Sequence, residues 1–240
     1  MDGSAFSGAP QRRCLISDDY HQYYIIGDRH VGDYEGMYQN CADPWRIEEL
    51  GFRLDMKAAL VLLQEYPKAA KALDAGAGAG YFTQKVIELL LESNTSLHFT
   101  VSDISPKALE LAEERLSNRF ASHSDVAIDF VPFDLRNIDG EICPFADDTF
   151  DLIIVAQTLW GLIENIHGLF PGLARKLKCG GRLLMSQHFL PPKEQKYAAD
   201  IVSRPQDLLK LADQSGFKLL HTMETDRSVN HHLAALWSWN

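Results

Sequence analysis

The chain has 240 residues, 46% of them apolar and 23% charged, a balance that supports an α/β domain with a sizeable core. Its 23 basic and 33 acidic side chains leave a formal net charge of −10, which argues against a nucleic-acid partner because such a surface repels a polyanion. No apolar run approaches the roughly 20 residues of a membrane span, and Met1 to Arg13 lacks the apolar stretch of a secretory signal. The reading is a cytoplasmic protein with no membrane partner and a flexible tail over residues 1–13.

Tyr20, Tyr23, Tyr24, Tyr34, Tyr38 and Trp45 crowd into a stretch read as a cap over residues 14–55. Trp45 to Tyr66 reads as a helix after Pro44, with Leu50, Leu54, Ala58, Val61 and Leu62 as its apolar stripe. Strands and helices then alternate. The strands are Lys71 to Asp74, Ser96 to Ser102, Val126 to Pro132, Asp151 to Ala156 and Arg182 to Gln187. The intervening helices are Tyr81 to Leu91, Pro106 to Arg119, and Ile163 to Lys178 with its stop at Gly180-Gly181. A proline-rich connection, Leu190 to Pro205, leads to a helix from Gln206 to Ser215. Two closing strands, Lys218 to Glu224 and His231 to Trp239, are joined too closely to be parallel. This order predicts a doubly wound, mostly parallel sheet with helices on both faces and an antiparallel C-terminal hairpin strand, over residues 56–240. Cys14, Cys41, Cys143 and Cys179 form no C-x-x-C pair, so they are read as reduced packing residues without a zinc or redox role.

The chemistry concentrates at Asp74-Ala-Gly76-Ala77-Gly78-Ala-Gly80-Tyr81. A strand ends, three alternate glycines allow a sharp turn and close backbone approach, and a helix opens with its N–H groups toward a ligand. A nicotinamide dinucleotide and S-adenosylmethionine both suit such a loop. Dinucleotide loops run G-x-G-x-x-G, whereas here the spacing is G-x-G-x-G behind an acid. Asp74 would repel a pyrophosphate and attract the ammonium of a methionine moiety, so S-adenosylmethionine is favoured. Asp103, at the end of the next strand, can accept from both ribose hydroxyls, with Ser105 the better helix cap. Asp134 can accept from an adenine amine, and Leu135 offers a backbone donor and an apolar wall.

In this order the residues resemble the binding motifs of class I S-adenosylmethionine-dependent methyltransferases. Pro144 to Ile154 and Leu173 to Leu184 are similar to further family segments, so the likeness spans residues 56–240; Cys179 stands where the family usually has proline. The resemblance implies a Rossmann-like, seven-stranded sheet and methyl transfer to a nucleophile. It implies contacts by Asp74 to Gly80 to the methionine end, by Asp103 to ribose, and by Ile104 and Asp134 to adenine. Gln157 to Trp160 would face the sulfonium and acceptor. No Asn-Pro-Pro-Tyr tetrapeptide and no trio of acidic metal ligands is present, which argues against a DNA-base amino-methylating enzyme and a magnesium-dependent type. Met37-Tyr38 through Asp43-Pro44-Trp45 is similar to the opening segment of small-molecule methyltransferases, a nodulation N-methyltransferase among them, and is too short to carry a substrate.

His188, beyond the fifth strand, Tyr24 and Tyr38 are the candidates for handling the acceptor proton, with Gln157 a competitor. Trp45 and the tyrosines would roof the cofactor or anchor the cap. His231-His232 read as strand residues, not a metal pair. The expected function is methyl transfer to a nitrogen or oxygen of a small polar metabolite by a monomer or homodimer without a metal. An NAD-dependent oxidoreductase and a non-catalytic nucleoside-binding protein are the rival readings.

Overall fold

A computed structural model describes residues 21–191, 193–226 and 231–240; the expected tail over 1–13, Cys14 and Tyr20 lie outside them. The described chain begins with a helical turn α1 (His21–Tyr24), a short hairpin β1 (Ile25–Ile26) and β2 (Arg29–His30), and helices α2 (Tyr34–Asn40), α3 (Ile47–Leu50) and α4 (Leu54–Gln64). The alternating part follows: β3 (Lys71–Ala75), α5 (Tyr81–Leu91), β4 (Leu97–Asp103), α6 (Pro106–Phe120), β5 (Val126–Pro132), β6 (Phe150–Ala156), α7 (Leu159–Leu162), α8 (Ile166–Lys176), β7 (Leu177–Phe189), α9 (Pro205–Gln214), β8 (Lys218–Asp226) and β9 (His231–Ser238).

Seven strands form one sheet in the order β5-β4-β3-β6-β7-β9-β8. Only β9 runs against its neighbours, inserted between β7 and β8. The predicted seven-stranded, mostly parallel sheet with an antiparallel C-terminal strand is the observed one. Leu152 to Val155 of β6 are buried throughout, as expected of a central strand covered on both faces. One core lies under α8 and α9 and contains Leu73, Ile153, Phe170 and Trp237. The other lies under α4, α5 and α6 and contains Ala72, Phe99, Ile154 and Leu184. Chain order reverses between β3 and β6, so their C-terminal ends open a crevice where an α/β sheet binds its ligands. No helix among the described residues is long and apolar enough to cross a membrane.

Three local expectations need correction. The single helix from Trp45 is two, broken where Gly51 adopts φ +69, and the buried face of α4 keeps Ala58 and Leu62 of the expected stripe and adds Met56, Ala59 and Leu63. Leu50 (64% exposed) and Val61 (50% exposed) face outward, because the break lets α4 rotate against the sheet independently of what precedes it. Gly180-Gly181 do not stop a helix: α8 ends at Lys176, and both glycines lie in β7. There the register to β6 jumps between Phe150/Leu177 and Leu152/Arg182, a bulge in which Gly180 takes φ +78. Cys41 is disulfide-bonded rather than reduced, while Cys143 and Cys179 are free. Thiol pairing depends on which cysteines the fold brings together, and spacing alone does not report it.

Candidate active site

After β3 the chain turns through Gly76, Gly78 and Gly80 at φ +84, +56 and +75, a region that favours glycine. Space demands glycine as well. A Cβ on Gly76 would stand 2.5 Å from the Thr158 side chain, and one on Gly78 would stand 2.5 Å from the Tyr38 hydroxyl. The N–H groups of Gly76 and Ala77 both donate to the Ser102 carbonyl, at 2.8 and 3.0 Å, which pins the loop to the end of β4. Gly80, in the left-handed region, is the N-cap of α5.

Two carboxyls underlie this loop, both satisfied by neutral donors. Asp74 is 2% exposed and accepts from Thr83 Oγ1 at 2.7 Å. Burial pushes its pKa up to about 7, against the lowering effect of the threonine. Asp103 accepts from the N–H of Gly78 at 2.8 Å and of Ser105 at 2.9 Å, and burial raises its pKa too. Ser105 caps α6 through Ala108 N–H. Two acids that have no cationic partner among the described residues, set against a bare backbone loop, suit a ligand that brings a positive charge and hydroxyl donors, and oppose a pyrophosphate.

At the end of β5, Leu135 is buried and Ile104 and Asp134 reach the same crevice. Arg136 forks Asp134, with Nε at 2.9 Å from Oδ1 and Nη2 at 2.7 Å from Oδ2, a pairing not assigned from sequence. Burial raises the Asp134 pKa, but the bonds to Arg136 outweigh it and hold the carboxyl below its ordinary range.

Beyond β6, Gln157 takes φ +58, and its Nε2 donates to Asp55 Oδ2. The other oxygen of Asp55 lies 2.7 Å from His232 Nδ1, and the His232 ring lies 5.1 Å from that of His188, its cross-strand partner. A buried carboxylate at the start of α4 thus joins the ends of β6, β7 and β9. Sequence reading named Gln157 and His188 but missed Asp55, because its partners are 102 and 177 residues away.

The roof is α2 and its flanks. Met37 and Tyr38 bury against Ala79 and Ala108. Glu35 accepts from Ser105 Oγ at 2.6 Å and from Lys107 N–H at 3.0 Å, which straps α2 to the start of α6. Tyr38 lies over Gly78, and Trp45 Nε1 donates to its hydroxyl at 3.3 Å. Burial drives the Tyr38 pKa far up, which holds this phenol protonated over the loop. Tyr24 meets Trp45 edge-on at 5.6 Å and Tyr34 at 5.8 Å.

Between floor and roof lies a partly open cavity of about 800 Å³ lined by the glycine loop, Asp103, Gln157, His188, Tyr24 and Trp45 among others. A family model described as a methyltransferase domain matches residues 67–227.

The chain belongs to the methyltransferase domain family.

It is a class I enzyme that depends on S-adenosylmethionine. The loop that admits no Cβ, the two carboxyls beneath it and the apolar wall of Leu135 fit that cofactor. The demethylmenaquinone methyltransferase of Tropheryma whipplei (strain Twist) is 29% identical over 214 residues, 85% of this methyltransferase and 81% of that one. Nodulation protein S of Rhizobium tropici is 30% identical over 145 residues, 59% of this chain and 53% of that protein. The crystal structure of the N-methyltransferase NodS from Bradyrhizobium japonicum WM9 with S-adenosyl-L-homocysteine shares the fold, with a TM-score of 0.65 at 19% identity, covering 85% of this chain and 97% of that one.

Proposed function

We propose that this methyltransferase transfers a methyl group to a nitrogen or oxygen of a small polar metabolite. The observation that carries this reading is the cavity under the aromatic roof, whose volume of about 800 Å³ lies in the range of small-molecule sites. The net charge of −10 further disfavours nucleic acid. In this reading the protein works in the cytoplasm as a monomer or homodimer, without a membrane partner, and residues 14–55 cap the site of the domain over 56–240.

S-adenosylmethionine, when bound, supplies a methyl group already activated on a sulfonium. The chain then has three tasks. Asp74 and the loop from Gly76 to Gly80 hold the methionine end, Asp103 holds the ribose, and Ile104, Asp134 and Leu135 hold the adenine. Gln157, fixed by Asp55, sets the wall at the reacting end. The aromatic roof excludes water and aligns the acceptor, which supplies much of the rate for a reaction between two positioned groups. His188 and Tyr24 line the acceptor side.

A second reading is methylation at carbon. It is favoured by the aromatic walls Tyr24, Trp45 and Trp160 and by the 29% likeness to a demethylmenaquinone methyltransferase. The test is turnover of methyl-labelled S-adenosylmethionine with amine, hydroxyl and quinol panels, the labelled position being read by NMR. Label on nitrogen or oxygen is the expected outcome. Label on carbon alone replaces the first reading with the second.

A further inference from the structure

Tyr34 opens α2, and its hydroxyl rests over Gly161, where a Cβ would stand 2.4 Å from the phenolic oxygen. Gly161 N–H donates to the Thr158 carbonyl at 3.1 Å, and Thr158 Oγ1 lies 3.4 Å from the Gly76 carbonyl. A file of close contacts therefore runs from the first glycine of the cofactor loop to the Tyr34 hydroxyl. On its other side that hydroxyl is 3.0 Å from His30 Nε2. The His30 ring stacks on Tyr197 at 5.6 Å with planes 24° apart. Tyr197 belongs to the connection between β7 and α9. Gly32 leaves room for the imidazole, since a Cβ there would stand 3.0 Å from Cε1. Tyr34, His30 and Tyr197 all line the cavity.

We propose that Tyr34 and His30 form the proton-accepting pair for methyl transfer, with the Tyr34 hydroxyl touching the acceptor and His30 receiving the proton through it. The proposal rests on the reading that the acceptor reacts through nitrogen or oxygen. It names the acceptor more closely, as one that carries an exchangeable proton on the reacting atom, a hydroxyl or a neutral primary or secondary amine. The acceptor's lone pair forms the bond to the methyl carbon as the carbon–sulfur bond breaks, and that bond's electron pair stays on sulfur. The acceptor's proton passes to the Tyr34 oxygen while Tyr34's own proton passes to His30 Nε2. The phenol ends neutral, and the imidazolium gives its proton to solvent.

The surroundings suit these roles. Burial lowers the His30 pKa, Glu164 beyond α7 opposes that and Arg136 beyond β5 assists it. The ring is then an empty base at neutral pH. Burial, reinforced by Asp103, Tyr197 and Asp134 and opposed by Arg136, holds the Tyr34 phenol protonated. A protonated hydroxyl beside an empty imidazole can pass one proton on without ionising.

The test compares wild type with Tyr34→Phe, His30→Gln and their double variant, on whichever acceptor the panels identify. Each single change should lower kcat about a hundredfold, the usual scale for general-base catalysis, with S-adenosylmethionine affinity unchanged within about twofold. The double variant should be no slower than the slower single, because the two act as one unit. With S-adenosylmethionine saturating, the fall of kcat/KM for the acceptor at low pH should vanish in His30→Gln and persist in His188→Asn. With no acceptor in hand, NMR titration of labelled histidine should place His30 below the ordinary value near 6.5, and Tyr34→Phe should move that midpoint. Full activity in Tyr34→Phe, a low-pH fall retained in His30→Gln or lost in His188→Asn, or a His30 midpoint indifferent to Tyr34→Phe would each overturn the pair. Methylation at carbon alone would overturn the reading of the acceptor instead, and the same variants would still decide whether the pair takes the proton.

Discussion

The floor and the roof of the cavity are made of different materials. The floor is backbone: a turn of three left-handed glycines hydrogen-bonded to β4, with Asp74 and Asp103 buried under it. The roof is side chain: tyrosines and a tryptophan on short elements, strapped to the sheet by Glu35 on Ser105 and by Glu48 on the Tyr81 hydroxyl at 2.7 Å. A backbone floor tolerates no added atom, whereas an aromatic roof can lose a ring and still close. Substitutions in the floor should therefore act on the cofactor in an all-or-none way, and those in the roof by degrees.

The largest expected effect tests the floor. Gly78→Arg places a side chain on a left-handed residue, a strain of about 1–3 kcal/mol, and drives it into the Tyr38 hydroxyl. Titration calorimetry should show S-adenosylmethionine affinity falling by about a hundredfold or more; a loss of less than threefold would mean that the loop does not hold the cofactor.

Next comes pH. Burial raises Asp74 to about 7, so the fold prefers its neutral form, and the protein without cofactor should lose stability as pH rises from the unfolded carboxyl value, about 3.9, through about 7. A cationic ammonium favours the charged form. Cofactor affinity should thus rise by up to about tenfold per pH unit on approaching 7 from below, with proton release on binding. In Asp74→Asn the profile should be flat, and an unchanged slope would remove Asp74 from the ammonium site.

The smallest effect belongs to the roof. Trp45→Ala deletes the indole donor to Tyr38 and the edge contact to Tyr24, worth about 0.5–1.5 kcal/mol, a loss of affinity of about 2- to 12-fold. A loss equal to that of Gly78→Arg would erase the distinction between roof and floor.

The floor was legible in the sequence because its parts lie within a strand–loop–helix unit. Spacing alone pointed to a sharp glycine turn with close backbone approach, and Ser105 was the better cap for the helix after Asp103. The mostly parallel sheet with its antiparallel closing strand was legible too, since alternation and short connections leave few topologies. The roof was read only as a crowd of aromatics. Tyr34 and Tyr38 are one helical turn apart, which sets them on one face of α2, but nothing local says that this face meets Gly161 and Gly78. His30 was not singled out at all, and Asp55 was taken as the edge of the cap.

The sequence by itself determined the cofactor loop, the alternation of strands and helices, and the acids that end β3 and β4, because each depends on backbone sterics and residue periods over a few neighbours. Only the tertiary structure decided which side chains meet across the cavity. Tyr34 on Gly161 and Asp55 between Gln157 and His232 both depend on how separate elements dock. Docking is set by the packing of two cores against one twisted sheet, a cooperative property that no short stretch of the chain contains.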